Sequence, residues 1–251
     1  VTDLCHHKTD VSSMWVKVCG LRNRSTASRL ASLSDGDRPD AVGLNFYSGS
    51  RRCVTESSAR SIVAEVGELI EVVGLFVDSP LERVVGLRNE LGLPTIQLHG
   101  TESPEYVAEL LSECPGVRVF RAMRVRDPES GESGGLSELG AYFEMCGLLG
   151  VELGGCLVDA FAEGQFGGTG QSPPWSLLSR EYRRVEWPRL LLAGGLRPNN
   201  VGRAIMEVSP WGVDTAGGVE DSVGDMDVER VVQFVRNARA VGGRMGVKSD
   251  G

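Results

Sequence analysis

Residues 190–218, LLLAGGLRPNNVGRAIMEVSPWGVDTAGG, decide the fold. An apolar run, Leu190 to Ala193, meets the pair Gly194-Gly195. A segment with apolar residues at three- and four-residue spacing follows, Asn199 to Met206 behind Pro198. A second short run, Gly212 to Thr215, then meets Gly217-Gly218. Strand, tight loop, helix, strand, tight loop is the repeat of a parallel sheet with helical crossovers. The late position of the glycine pairs separates two architectures. An open doubly wound sheet more often carries its Gly-rich loop after the first strand, whereas a closed barrel commonly builds an anion site from the loops after strands seven and eight.

Working back towards the N-terminus, the same unit recurs. Strand-like runs fall at Trp15 to Cys19, Ala41 to Phe46, Glu71 to Phe76, Thr95 to Leu98, Val117 to Met123 and Gly155 to Val158, which with the two above makes eight. Helical spacing marks Ser57 to Leu69, Leu81 to Leu91 and Pro104 to Leu111. The expected fold is therefore α/β, a single-domain (β/α)8 TIM barrel over 14–245, with a flexible extension at 1–13 and a flexible tail at 246–251. The length of 251 residues matches the roughly 250 typical of that barrel. Arg126 to Gly140, rich in Gly, Ser and Glu, reads as a mobile, solvated loop after the fifth strand.

Composition narrows the function. A net charge of −8 with no long basic run argues against nucleic acid as a partner, so an anionic ligand must be gripped locally. Six cysteines without CxxC spacing suggest neither a zinc site nor a disulfide framework, which fits a reducing cytoplasm. His6 and His7 form no metal-ligand pattern. No apolar stretch reaches the roughly 20 residues of a membrane span, so no membrane partner is expected.

Chemistry-bearing residues gather at the strand ends. Gly168-Thr169-Gly170, Gly194-Gly195 and Gly217-Gly218 free backbone N–H groups at three successive loops, and could together cradle a phosphate dianion; singly, each also makes a tight turn. Cys19 and Asp159 close the first and sixth runs, where both would point from the C-terminal rim towards the axis as a proton acceptor and donor. A strand cysteine is also a common buried hydrophobe, and an aspartate a common cap. Arg52, with Arg51 competing for the role, could hold a carboxylate by two parallel hydrogen bonds. Gln97, His99 and Asp214 also sit at strand ends and would orient substrate or the catalytic pair; His99 equally suits a structural role.

VKVCGLR at Val16 to Arg22, DAVGLNFYSGSRR at Asp40 to Arg52, IQLHGTE at Ile96 to Glu102, LVDAFAEGQFGGTG at Leu157 to Gly170, LAGGLRPNNV at Leu192 to Val201 and VDTAGGVE at Val213 to Glu220 together resemble the phosphoribosylanthranilate isomerase family, in the family's order from about Trp15 to near Ala240. The resemblance implies a barrel that performs an Amadori rearrangement in tryptophan biosynthesis on a small phosphorylated substrate, with no cofactor and no metal. It implies Cys19 as general base, Asp159 as general acid and Arg52 as the ligand of the anthranilate carboxylate. Gln171 stands where the family commonly has a lysine or similar residue, and Ala216-Gly217 where it usually has two serines, so backbone donors are expected to carry the phosphate.

Two other functions remain in view. One is the related aminoaldose isomerase of histidine biosynthesis, which would use paired aspartates. The other is a catalytically silent phosphate-binding barrel or partner domain, against which the intact Cys19, Asp159 and Arg52 speak. With no heptad seam in the sequence, a monomer, a homodimer and fusion to a neighbouring pathway enzyme all stay open.

Overall fold

The computed structural model describes residues 14–125, 136–160 and 172–245. The expected extension 1–13 and tail 246–251, the core of the 126–140 loop and the GGTG turn lie outside them. Eight parallel strands close into a barrel in sequence order, β1 beside β8. They are β1 Trp15–Cys19, β2 Ala41–Asn45, β3 Glu71–Phe76, β4 Thr95–Leu98, β5 Arg118–Val125, β6 Gly155–Ala160, β7 Leu190–Leu192 and β8 Gly212–Thr215. The helices between and after them are α1 Arg24–Ala31, α2 Glu56–Val66, α3 Leu81–Leu91, α4 Pro104–Glu113, α5 Ser137–Leu148, α6 Trp175–Glu181, α7 Val201–Val208 and α8 Val228–Met245.

Strand alternation divides the interior into two cores. On β1, Val16 and Val18 join the large apolar layer between sheet and helices. Trp15 belongs instead to a second cluster with Ala41, Val73, Phe120, Ala122, Leu157, Leu191 and Ala193. Trp15 stacks on Trp211 at 5.0 Å between ring centroids and meets Phe120 edge-on at 5.7 Å. These rings fill the lower barrel, and in folds of this kind the functional side chains sit at the C-terminal end of the strands.

Element ends differ from the sequence reading for local reasons. β2 stops at Asn45 because the Asn45 side chain accepts from the Tyr47 amide at 2.9 Å and turns the chain. β5 starts at Arg118 and runs on to Val125 because β6 pairs with it as far as Ala160. α2 begins at Glu56 behind a Thr55 cap and ends at Val66, three residues short of the expected Leu69, because Gly67 caps it there. α7 starts at Val201 because the Asn200 side chain accepts from the Arg197 amide at 2.7 Å and holds the preceding turn open. α5 takes in Ser137 to Gly140, where the composition predicts loop. Among the described residues no helix is long and apolar enough to cross a membrane.

Candidate active site

The polar side chains inside the barrel lie at and just below its C-terminal rim. Alternation on β1 places Trp15, Lys17 and Cys19 on the lumen side. Lys17 is fully buried, and its Nζ donates to Asp214 Oδ1 at 2.9 Å from the adjacent β8, where the two are register partners. Burial pulls the Lys17 ammonium down, but Asp214 and then Cys19 outweigh it, and its pKa ends above the ordinary lysine value. The Asp214 carboxyl is raised by burial, with Lys17 and then Arg52 drawing it back.

Cys19 is buried at the end of β1 against Leu75, Val77, Tyr47 and Ala216. Its sulfur presses on the β2 backbone, for a Cβ built on Gly43 would lie 2.6 Å from Sγ. Burial pushes the thiol up; Lys17 opposes that rise, Asp214 adds to it and Arg52 opposes it.

At the end of β4, Gln97 and His99, the residue just past the strand, form a buried pair, with Gln97 Nε2 3.0 Å from His99 Nδ1. His99 Nε2 lies 4.0 Å from Asp159 Oδ2 on β6. Gln97 Oε1 and His99 Nε2 have no hydrogen-bond partner among the described residues. Burial, then the charges of Lys17, Arg121 and Arg124, lower the His99 pKa to about 3, so the ring is neutral at working pH. The unfolded chain therefore binds a proton, between pH 6.5 and about 3, that the folded chain does not. Stability from this residue is complete above pH 6.5 and falls as the pH drops towards 3. The expected loss is about 2 to 3 kcal/mol by pH 4.5. Urea unfolding at pH 7 and 4.5 checks it: His99→Gln should flatten the pH dependence by that amount, and equal slopes in both proteins would refute it.

Arg52 spans three loops. Its Nε and Nη2 donate to Glu220 Oε1 and Oε2 at 2.5 and 3.1 Å, and its Cδ lies 2.6 Å from where a Gly20 Cβ would stand. Arg51, mostly exposed, donates to Glu220 Oε2 from outside. Of the two arginines it is thus Arg52 that lies over the rim, with Nη1 uncommitted among the described residues.

Gly194 and Gly195 both have positive φ, 82° and 59°, which side chains on L residues strain to adopt. The two late loops interlock. Asn200 Nδ2 donates to the Gly195 carbonyl at 3.0 Å, Thr215 Oγ1 donates to the Leu196 carbonyl at 2.8 Å, and a Cβ on Gly218 would sit 1.9 Å from that same oxygen. A short 3-10 turn, Gly217–Val219, opens directly after β8. The amides of Gly194, Gly195, Gly217 and Gly218 donate to no main-chain carbonyl among the described residues. Gly168, Thr169 and Gly170 lie outside those residues.

Cys19, Asp159, Gln97, His99, Asp214, Arg52 and the two late glycine pairs are thus all at one end of one barrel. Three supporting residues escaped the sequence reading. Lys17 was legible from alternation, two residues before Cys19 on the same strand. Glu220 was not, because it is 168 positions from Arg52. Nor was Arg121, which is buried and donates to the carbonyls of Leu98, Gly100 and Ala122, fixing the loop that carries His99. No group of three or more His, Cys, Asp or Glu side chains able to hold a metal occurs among the described residues.

The sequence matches the family model described as N-(5'-phosphoribosyl)anthranilate (PRA) isomerase over residues 16–138 and 148–237. It is 37% identical to the N-(5'-phosphoribosyl)anthranilate isomerase of Chlorobaculum parvum over 229 residues, covering 90% of this chain and 95% of that one. Among solved structures, monomers derived from the dimeric phosphoribosylanthranilate isomerase of Thermotoga maritima align with a TM-score of 0.71 at 28% identity, covering 90% of this chain and 99% of that one. A phosphoribosylanthranilate isomerase in complex with reduced 1-(o-carboxyphenylamino)-1-deoxyribulose 5-phosphate aligns at 0.70 and 27%, with the same coverage. On its sequence and on its barrel alike, the chain belongs to the N-(5'-phosphoribosyl)anthranilate isomerase family.

Proposed function

We propose that this protein converts N-(5-phosphoribosyl)anthranilate to 1-(2-carboxyphenylamino)-1-deoxyribulose 5-phosphate in tryptophan biosynthesis, by general acid–base catalysis within the barrel spanning 14–245. The observation that carries the reading is the placement of Cys19 and Asp159 at one rim, on β1 and β6, in a chain of this family. Asp159 protonates the ribose ring oxygen, the C–O bond breaks, and the anilino nitrogen lone pair forms an iminium at C1'. The positive nitrogen acidifies the neighbouring C2'–H, and Cys19 takes that proton to give an enolamine, which tautomerises to the ketone.

His99 Nε2 and Gln97 Oε1, buried near Asp159 and without a hydrogen-bond partner among the described residues, suit the hydroxyls of the sugar, since such groups gain most from a polar partner. Gly194, Gly195, Gly217 and Gly218, together with Gly168, Thr169 and Gly170, present backbone donors for the phosphate. Asp214 acts at the β1–β8 seam through Lys17. The scattered free thiols, Cys53, Cys114, Cys146 and Cys156 as well as Cys19, suit a cytoplasmic enzyme. The Thermotoga relative makes a homodimer the assembly to test.

Arg52 holds the anthranilate carboxylate, through Nη1 or by exchanging Glu220 for the substrate. Mixing the protein with freshly generated phosphoribosylanthranilate should quench anthranilate fluorescence, and Arg52→Ala should lower kcat/KM about 10- to 100-fold, chiefly through KM. Unchanged KM would remove Arg52 from substrate binding. Phosphate binding without turnover in the parent protein would leave a silent binding barrel.

A further inference from the structure

A buried thiol that burial makes harder to ionise is a poor base unless something nearby favours its anion. The chain carries such a group one step down the same strand. Lys17 and Cys19 alternate onto the lumen face of β1, the Lys17 side chain has no exposed surface, and it pairs with Asp214 at 2.9 Å. Burying an ammonium costs several kcal/mol, and a packed apolar side chain on the barrel axis would avoid that cost. The sulfur has little freedom to move away from the charge, because it fills the place of a Gly43 side chain.

We propose that Lys17 and Asp214 act as a charge pair that sets how readily Cys19 gives up its proton, Lys17 favouring the thiolate and Asp214 restraining it. Lys17 is then a positioning residue for the general base. The assignment rests on the isomerase reading of Cys19. The other groups around the sulfur are Arg52 above it from the loop after β2, which also favours the anion, the Tyr47 ring, and the apolar Leu75 and Val77 of β3. His99, just after β4, faces the same Lys17 charge. Lys17 is coupled to both Asp214 and Cys19, so neutralising Asp214 leaves the ammonium to the sulfur, whereas removing Lys17 leaves the sulfur facing a carboxylate.

This predicts opposite shifts from the two halves of one ion pair. Thiolate absorbance near 240 nm, titrated on the intact protein and corrected with Cys19→Ser, gives the Cys19 midpoint without substrate. Asp214→Asn should lower that midpoint and Lys17→Met should raise it, each by about one pH unit, a tenfold change in thiolate at fixed pH. A purely structural pair would move both variants the same way or neither. Either variant staying within a few tenths of the parent, or moving the other way, overturns the proposal. Should Lys17→Met fail to fold, Asp214→Asn decides alone. The acid limb of kcat/KM in the fluorescence assay separates the two readings. An inactive parent with the opposite shifts intact would sink the isomerase reading alone, and an active parent without them would sink the charge pair alone.

Discussion

Asp159→Asn and Cys19→Ser should each lower kcat by about 10² to 10⁴, the usual effect of losing a positioned acid or base. Asparagine keeps the size and one hydrogen-bonding oxygen of Asp159, so it removes little beyond the transferable proton. His99, 4.0 Å from the carboxylate and neutral, cannot take over as the acid, because burial and three cations hold it unprotonated at the pH of the assay. Serine keeps the shape of Cys19 in the slot left by Gly43 but raises the pKa of the base by several units. The two residues serve successive proton transfers, so the double variant should fall well short of the product of the single effects. Stopped-flow loss of anthranilate fluorescence under saturating substrate reads kcat directly. Thermal midpoints near the parent's would show that the loss is chemical, and near-normal kcat in either variant would remove that residue from the mechanism.

The part of this site that the sequence made legible is the part set by strand period. Short β-branched runs ending in Cys19, Asp159, Gln97-Leu98-His99 and Asp214 fix both a strand and its rim, since a parallel barrel places functional side chains at the C-terminal ends of its strands. The same period made Lys17 readable, for it shares a strand face with Cys19 in Val16-Lys17-Val18-Cys19, although a lone lysine in a strand reads first as a surface charge. What stayed hidden depends on contacts between distant loops. Glu220 meets Arg52 only when the barrel closes β8 against β1, whose other neighbour is β2, and Arg121 acquires its meaning from carbonyls at the end of β4 and from the Tyr142 ring on α5. The interlocking of the two late glycine loops is of the same kind. Glycine pairs announce tight turns, but nothing local reveals that Gly218 abuts the Leu196 carbonyl of the preceding loop.

That contact yields the second large effect. Gly218→Ala places a Cβ 1.9 Å from the Leu196 oxygen and 2.9 Å from its carbonyl carbon, and both are backbone atoms that no rotamer change can move aside. The Leu196 carbonyl also accepts the Thr215 hydroxyl, and the residues just before it are Gly194 and Gly195, whose positive φ values shape the turn. Relieving the clash must therefore displace either the 3-10 turn after β8 or the loop after β7, and with it half of the proposed phosphate cradle. Overpacking of this kind costs about 1 to 3 kcal/mol, which for a barrel of this size lowers Tm by roughly 3 to 10 °C. KM should rise at least about tenfold, the effect of losing one or two charge-assisted hydrogen bonds to the phosphate. Inhibition by inorganic phosphate should weaken in parallel. Gly86→Ala is the matched control, an exposed position inside α3 where an added Cβ meets nothing within 4 Å. It should leave KM unchanged and hold or slightly raise Tm, because alanine costs less backbone entropy than glycine in a helix. Equal Tm and KM for Gly218→Ala and Gly86→Ala would mean that the late loops neither interlock through Leu196 nor form the phosphate grip together.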